Sequence, residues 1–400
     1  MSLVNVDIAI VGAGIAGQTL ALALAQHDFS IAVIDANEIS QNIGSEFSPR
    51  VSAISKASQR IFERLDAWHN IKRMQAYTDM QVWEDQAFGR IEFSANDNKV
   101  DNLGHIIENS CLTQALFETI QQVEQIQLFP SQKITAINRS DDQQFINLEN
   151  GQMITAKLIV GADGGNSFVR RSANFALTFW DYDHIAIVAN VRTELAHCLA
   201  ARQAFTPTGP LAFLPLSDPN ACSIVWSQDT AEAQRLLSLS EAEFCKALQV
   251  ALDSQLGKCE LLSKRFNYPL KMQYAKQWAD NGIVLVGDAA HTIHPLAGQG
   301  ANLGILDVAA LAQELGRLKQ SGKAFHTKRA LRPYERWRKA EAAKVVATME
   351  GFKRLFSGSD PALKLARNAG LAAANSISPI KRFFIEQAVG SAGKLPDLAK

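Results

Sequence analysis

The chain has 400 residues, 47% of them hydrophobic, enough to bury a large core and to suggest two or three domains. Its 40 basic and 40 acidic residues cancel, so no global field favours nucleic acid or an acidic partner, and no nucleic-acid binding is expected. Cys111, Cys198, Cys222, Cys245 and Cys259 are too widely spaced for a zinc or redox pair and fit a reducing cytosol.

Met1–Asp7 carries no basic region followed by a long apolar stretch, so no signal peptide is expected. An apolar strand is predicted over Val6–Val11, an Ala/Leu-rich helix over Ile15–Gln26 and a second buried strand over Ile31–Asp35. Strand, glycine turn, helix and strand open a parallel βαβ unit. Met80–Ser94 has the texture of a sheet. Further along, Gln144–Leu148 and Met153–Val160 flank Asn150-Gly151 and read as a hairpin feeding a strand that ends at Gly161. Between Trp180 and Pro269 the pattern turns to alternating strands such as His184–Thr193 and Ala221–Gln228, a separate antiparallel sheet that Met80–Ser94 can join. Ile283–Val286 is another buried strand, and from Ala301 the chain is mostly helical, broken at Pro361 and Pro379. Apolar runs such as Ile185–Ala189 and Ile283–Gly287 stop far short of the ~20 residues of a membrane span.

Three motifs carry chemistry. Gly12-Ala13-Gly14-Ile15-Ala16-Gly17 follows a strand and opens a helix: Gly12 permits a tight turn, Gly14 lets the backbone approach a pyrophosphate, and Gly17 lets helix and strand pack. Asp35, ending the second strand, is placed to bind a ribose hydroxyl. A dinucleotide is implied, with NAD and FAD both open at this point. Gly161-Ala162-Asp163-Gly164, followed by Asn166-Ser167 and Val169-Arg170, reads alone as a strand-to-helix turn. Gly287-Asp288-Ala289-Ala290-His291, with Pro295, Gly298-Gln299-Gly300 and Asn302 leading into a helix, offers an acid and a second glycine-rich helix start, suited to a polyol and a planar ring. His291 and His294 are not read as metal ligands, because Pro295 disfavours helix at His294 and no third ligand lies nearby.

In this order the motifs resemble the flavoprotein hydroxylases of the para-hydroxybenzoate hydroxylase type, over essentially the whole chain. The resemblance implies an α/β fold: a Rossmann-type FAD-binding domain (1–75, 103–176 and 270–345) interleaved with an antiparallel β-sheet substrate domain (76–102 and 177–269), plus a C-terminal helical segment (346–400). It implies that Gly12, Gly14, Gly17 and Asp35 bind the ADP half of FAD. By the same carry-over Asp163 and Gly164 serve FAD and the nicotinamide cofactor, Asp288 contacts the ribityl chain, the Pro295–Asn302 stretch (Pro295, Gly298, Gln299, Gly300, Asn302) lies beside the isoalloxazine, and Arg50 and Asn109 also contact the flavin. Asp35 is shorter than the Glu common in the family.

Arg50-Val51-Ser52-Ala53-Ile54, Gly104-His105-Ile106-Ile107-Glu108-Asn109, Leu211-Ala212-Phe213-Leu214-Pro215-Leu216-Ser217 and the Gly287–Gly304 run resemble the ubiquinone-biosynthesis hydroxylases. Ser223-Ile224-Val225-Trp226-Ser227 and Leu355-Phe356-Ser357-Gly358 are most similar to members acting on 2-polyprenylphenols. That resemblance implies a monooxygenase in which NADPH or NADH reduces FAD, O2 is taken up, and a flavin hydroperoxide delivers one oxygen to a polyprenylated phenol. The hard chemistry is then the cofactor's, and no catalytic acid or base is assigned; His105, His184 and His291 are each open between structural and catalytic roles. Hydroxylation of another aromatic substrate, and a catalytically idle flavoprotein scaffold among other ubiquinone-biosynthesis proteins, are the alternatives. An amine or hydroxy-acid oxidase is disfavoured by the third motif.

The expected location is cytoplasmic and peripheral at the inner membrane. Gly351–Lys400 has eight basic residues (Lys353, Arg354, Lys364, Arg367, Lys381, Arg382, Lys394 and Lys400) against three acidic ones (Asp360, Glu386 and Asp397), beside Phe352, Leu355, Phe356 and Phe383-Phe384. That composition suits a helix lying on an anionic surface; packing against the flavin domain and contact with a partner protein are the other readings.

Overall fold

β1 (Leu3–Val11) and β2 (Ile31–Ile34) pair in parallel, Ile8 opposite Ile31, with helix α1 (Ile15–Ala25) between them in sequence. All four residues of β2 are buried, as expected of a strand covered on both faces. α1 buries every residue from Gly17 to Leu24. Its small alanines let it lie close under two neighbours, α3 (Asn109–Ile120) and α7 (Gln299–Gln320). The computed structural model describes residues 3–39, 43–85, 89–292, 299–356, 390 and 392–400.

On the other side of β1 lies β11 (Met153–Gly161), parallel to it, then β19 (Ile283–Leu285) and the short antiparallel β18 (Ala279–Asp280); β8 (Ile126–Phe129) extends the sheet beyond β2. The chain therefore moves outward from β1 in one direction and later returns on the other side. Such a switch point opens a crevice at the carboxyl ends of the strands, the usual place for a ligand in this architecture. β9 (Ile134–Arg139) and β10 (Gln144–Leu148) form the added meander, and Gly151 takes φ +82° in the turn from β10 to β11.

A second sheet runs β20 (His291–Thr292), β17 (Phe266–Ala275), β12 (Leu177–Thr193), β15 (Ala221–Asp229), β14 (Gly209–Pro215), β13 (Ala200–Thr206), β5 (Asp79–Glu84) and β6 (Arg90–Ser94), with β16 (Cys259–Leu261) on β12. It is antiparallel apart from the β5–β13 pair. The Met80–Ser94 segment joins it as expected. β12 starts earlier than its alternating pattern suggests, because Leu177–Asp181 pairs with Lys271–Ala275 across an irregularity at Asp181/His184. A third sheet, β3 (Val51–Ile54), β7 (Gly104–Glu108) and β4 (Met74–Tyr77), was not foreseen.

One face of the second sheet is covered by α5 (Thr230–Ser238) and α6 (Glu241–Ala251), around Trp226, Phe244 and Leu248. The capping box of Ser240 with Glu243 starts α6. The opposite face packs on the third sheet through Leu214, Ala221, Ile106 and Phe93. α2 (Lys56–Arg64), α4 (Phe168–Ser172) and α8 (Lys328–Phe356) complete the helices used below. No helix among the described residues is long and apolar enough to cross a membrane.

Pro361, Pro379 and most of the basic tail lie outside the described residues. Its last residues do not stand free: Arg64 donates to the carbonyls of Asp397 and Lys400, Trp337 donates to Lys394, and Ala399 is buried beside Leu395 and Leu398. Deleting this end would therefore remove core contacts.

Candidate functional site

The first glycine motif sits at the carboxyl end of β1, and each glycine has its own reason. Gly12 takes φ +104°, and a Cβ there would lie 2.4 Å from the Ala162 carbonyl oxygen. The first motif thus rests directly on the second. A Cβ on Gly17 would sit 1.8 Å from the Gly12 carbonyl oxygen, so helix and turn can approach only without it. Gly14 is different: its φ is an ordinary −73°, it caps α1 without any side chain, and among the described residues nothing beyond its chain neighbours comes within 4 Å of the place a Cβ would take. A helix start left uncapped beside such an opening is the kind of cradle an anion needs.

Asp35 holds this loop. Its Oδ2 accepts the Ala13 N–H at 2.7 Å, and its Oδ1 accepts the Asn37 N–H at 2.8 Å. Oδ1 also accepts from Asn37 Nδ2 at 3.2 Å, so Oδ2 is the oxygen that retains a lone pair for a hydroxyl. Asp163 likewise works on the backbone: Oδ2 accepts the N–H groups of Phe168 at 2.6 Å and Val169 at 3.1 Å, heading α4, while Oδ1 is buried without a partner among the described residues. Gly164 beside it takes φ +75°. Arg170, buried behind this turn, donates to the Ala289 and Gly165 carbonyls and so ties the second motif to the third.

The third motif forms a single 3-10 turn, Gly287–Ala289, after β19. It lies against Gly304 of α7, where a Cβ would be 3.3 Å from the Gly287 Cα. Asp288 is exposed, yet desolvation by the protein around it pushes its carboxyl above the ordinary range, against the pull of the charges on His291 and Arg50. Arg50 is exposed and lies over the Tyr268 ring, 5.2 Å from its centroid. The Asn109 N–H donates to the Arg50 carbonyl at 2.9 Å, and its Oδ1 accepts from the Ser52 hydroxyl at 2.7 Å. Arg50, Asn109 and Asp288 are thereby brought to one region.

Gly300, in the first turn of α7, has open space where a Cβ would be. Asn302 is committed to the fold: Oδ1 accepts from the Ser55 N–H at 2.9 Å and the Ser58 hydroxyl at 2.8 Å, and Nδ2 donates to the Ala53 carbonyl at 2.7 Å. It straps α7 to β3 and α2. Pro295, Gly298 and His294 lie outside the described residues, as does the side chain of Gln299, whose backbone begins α7.

Behind the third motif lies a charge network that local sequence patterns do not reveal. Asp307 on α7 is fully buried; its Oδ2 is 2.6 Å from His291 Nε2 and accepts the Gly287 N–H at 3.3 Å, and its Oδ1 accepts from Arg338 Nε at 2.7 Å. Burial alone would raise its carboxyl, but the charges of His291 and Arg338 and their hydrogen bonds outweigh that and hold it below the ordinary range. His291, also against the Trp278 ring at 5.0 Å, has an interior partner rather than a free ring. His105 packs edge-on against Trp68, and burial, with the Lys56 charge, pushes it down to about 4. A lone acid inside the apolar run Leu303–Ala312 is the one sequence signal that could have pointed to Asp307.

The FAD binding domain family matches residues 5–349, and the chain belongs to that family. It is an FAD-dependent monooxygenase. Among its relatives, the 3-demethoxyubiquinol 3-hydroxylase of Escherichia coli K12 is 37% identical over 387 residues, covering 96% of this chain and 98% of that protein. The ubiquinone hydroxylase UbiL of Rhodospirillum rubrum is 33% identical, covering 96% and 90%, and the human mitochondrial ubiquinone biosynthesis monooxygenase COQ6 is 30% identical, covering 94% and 90%. The crystal structure of p-nitrophenol 4-monooxygenase PnpA from Pseudomonas putida superposes with a TM-score of 0.79 at 19% identity over 98% of this chain and all of the other, a likeness of fold.

Proposed function

We propose that the chain hydroxylates the aromatic ring of a polyprenylated phenol in ubiquinone biosynthesis, using FAD, O2 and either NADPH or NADH. The observation that carries this reading is the close approach of the three motifs at the switch point of the sheet: Gly12 lies against Ala162, and a Cβ on Gly287 would be 3.6 Å from that of Ala16. FAD, when bound, supplies the activation of oxygen by a reduced ring system. The residues of the chain do the rest. The start of α1 at Gly14, between Gly12 and Gly17, receives the pyrophosphate and Asp35 the adenosine ribose. Asp288 would receive the ribityl hydroxyls, with Asp163 and Gly164 alongside, and Arg50, Asn109 and the residues from Pro295 to Asn302 would serve the ring.

Phe47 and Val51, on either side of Arg50 in sequence, pack against the apolar cluster between the second and third sheets and so anchor the segment that carries Arg50. The relatives named for ubiquinone biosynthesis, human COQ6 among them, support the proposed substrate class.

The test is reductant use by the purified, FAD-loaded protein. Adding a 2-polyprenylphenol should accelerate NAD(P)H oxidation and yield a product one oxygen atom heavier by mass spectrometry. A protein that binds FAD but neither consumes reductant nor alters the phenol is a scaffold, and the proposal is then wrong.

A further inference from the structure

Between β2 and β3 the described residues form neither helix nor strand, so the chain leading to Arg50 needs other partners for its backbone. One guanidinium supplies many of them. Arg73, just before β4, donates through Nε and Nη2 to the Glu108 carboxylate, both at 2.9 Å. Its Nη1 also donates to the carbonyls of Gly44 at 2.8 Å and Ser45 at 3.1 Å, and its Nη2 to that of Glu46 at 3.1 Å. The same group lies 5.5 Å from the centroid of the Phe47 ring. Glu108 is buried, and its Oε2 accepts the Ser48 N–H at 2.5 Å. From the second sheet, Asn190 Nδ2 donates to the Phe47 carbonyl at 2.8 Å.

Every residue from Gly44 to Ser48 is thus gripped, and two positions later comes Arg50. Glu108 directly precedes Asn109, whose N–H donates to the Arg50 carbonyl. The clamp joins the two segments that carry Arg50 and Asn109.

We propose that Arg73 and Glu108 are positioning residues: together they hold the loop at residues 44–48 in the one arrangement that presents Arg50 and Asn109 to the cofactor. This rests on the reading that Arg50 and Asn109 face FAD. A planar, bidentate cation suits the task, since its fork binds a carboxylate with two donors and still reaches successive carbonyls, which a lysine ammonium cannot do from one place. Released, the loop would sample many conformations, and FAD would bind only the competent fraction.

The experiment compares Arg73→Gln, Arg73→Lys, Arg50→Ala and the neighbouring surface change Lys72→Gln by two readouts that need no turnover. The first is cleavage after the exposed Glu46 by a glutamyl endopeptidase in the apoprotein; the second is FAD affinity, with the flavin absorbance spectrum. With about a tenth of the loop population competent, Arg73→Gln raises the FAD Kd about tenfold. Its cleavage after Glu46 speeds up, its far-UV circular dichroism is unchanged, Arg73→Lys falls between, and Lys72→Gln behaves as wild type. Glu108→Gln, which keeps size and one acceptor, supplies the same comparison if Arg73→Gln folds poorly. Cleavage no faster than wild type overturns the clamp. Faster cleavage with unchanged FAD affinity, while Arg50→Ala binds FAD weakly, overturns its positioning role. If Arg50→Ala itself binds FAD normally, the failure lies in the underlying reading of Arg50, and the proposal falls with it.

Discussion

Replacing Asp307 by Asn tests whether the turn carrying Asp288 is held from inside. Asp307 is fully buried and meets His291, Arg338 and the Gly287 N–H at 2.6, 2.7 and 3.3 Å. Asn keeps the shape but removes the counter-charge to Arg338, itself buried, and turns one acceptor into a donor. Removing one partner of a buried ion pair costs about 3–5 kcal/mol, out of a total stability of roughly 5–15 kcal/mol. For a chain of 400 residues a fall in the thermal midpoint of roughly 4–6 °C follows. Scanning calorimetry of the apoprotein measures it. Because the Asp307 carboxyl is held below its ordinary value of 3.8, its contribution is fully present above that pH and drains as the pH falls through the lower folded value. The gap between wild type and Asp307→Asn should therefore be widest near neutrality and close in strong acid. Combining it with Arg338→Met removes the orphaned cation and should recover much of the loss. A single variant within about 2 °C of wild type, or a double variant worse than the single, refutes the reasoning.

Three further outcomes follow. Gly14→Ala should leave stability unchanged, since its φ is ordinary and its Cβ meets no protein atom, yet weaken FAD at least about tenfold by intruding on the pyrophosphate, as fluorescence titration would show; unchanged affinity would remove the phosphate from α1. Gly12→Ala, at φ +104° and 2.4 Å from Ala162, should instead lower the yield of folded protein, read by soluble expression and circular dichroism. Asp288→Asn should move two observables in opposite directions. Its carboxyl is raised in the folded state, so ionisation costs stability as the pH climbs above the unfolded value, and the neutral variant should melt higher as apoprotein at pH 7. The same change should weaken FAD by about 1–3 kcal/mol, the cost of a lost hydrogen bond to a charged acceptor.

Much of the site was legible because its requirements are local. Gly12 and Gly17 are set by backbone geometry within a strand and its next helix, and the open space at Gly14 follows from the same turn. Asp35 was picked out by its place at the end of a strand, and Asp163 and Asn302 by resemblance, but a sequence cannot show that Asp35 holds Ala13, that Asp163 heads α4, or that Asn302 straps α7 to Ser55 and Ser58. The third sheet was missed because β3 and β7 are four- and five-residue runs paired across some fifty residues, with no turn between them to announce the pairing. Asp307 with Arg338 and Arg73 with Glu108 were missed for the related reason that their spacings of 31 and 35 residues encode no local geometry. His291 stayed undecided until Asp307 was seen beside it.

If this chain uses bound FAD to place one atom of molecular oxygen on a prenylated aromatic ring, the oxygen in the product comes from the gas. The FAD-loaded protein is supplied with NAD(P)H, a 2-polyprenylphenol and isotopically labelled oxygen gas, and the product is weighed. One labelled oxygen is expected in the hydroxylated ring, with the label absent when FAD is removed. Label arriving from water instead, or an unmodified phenol alongside full reductant consumption, would contradict the proposed function.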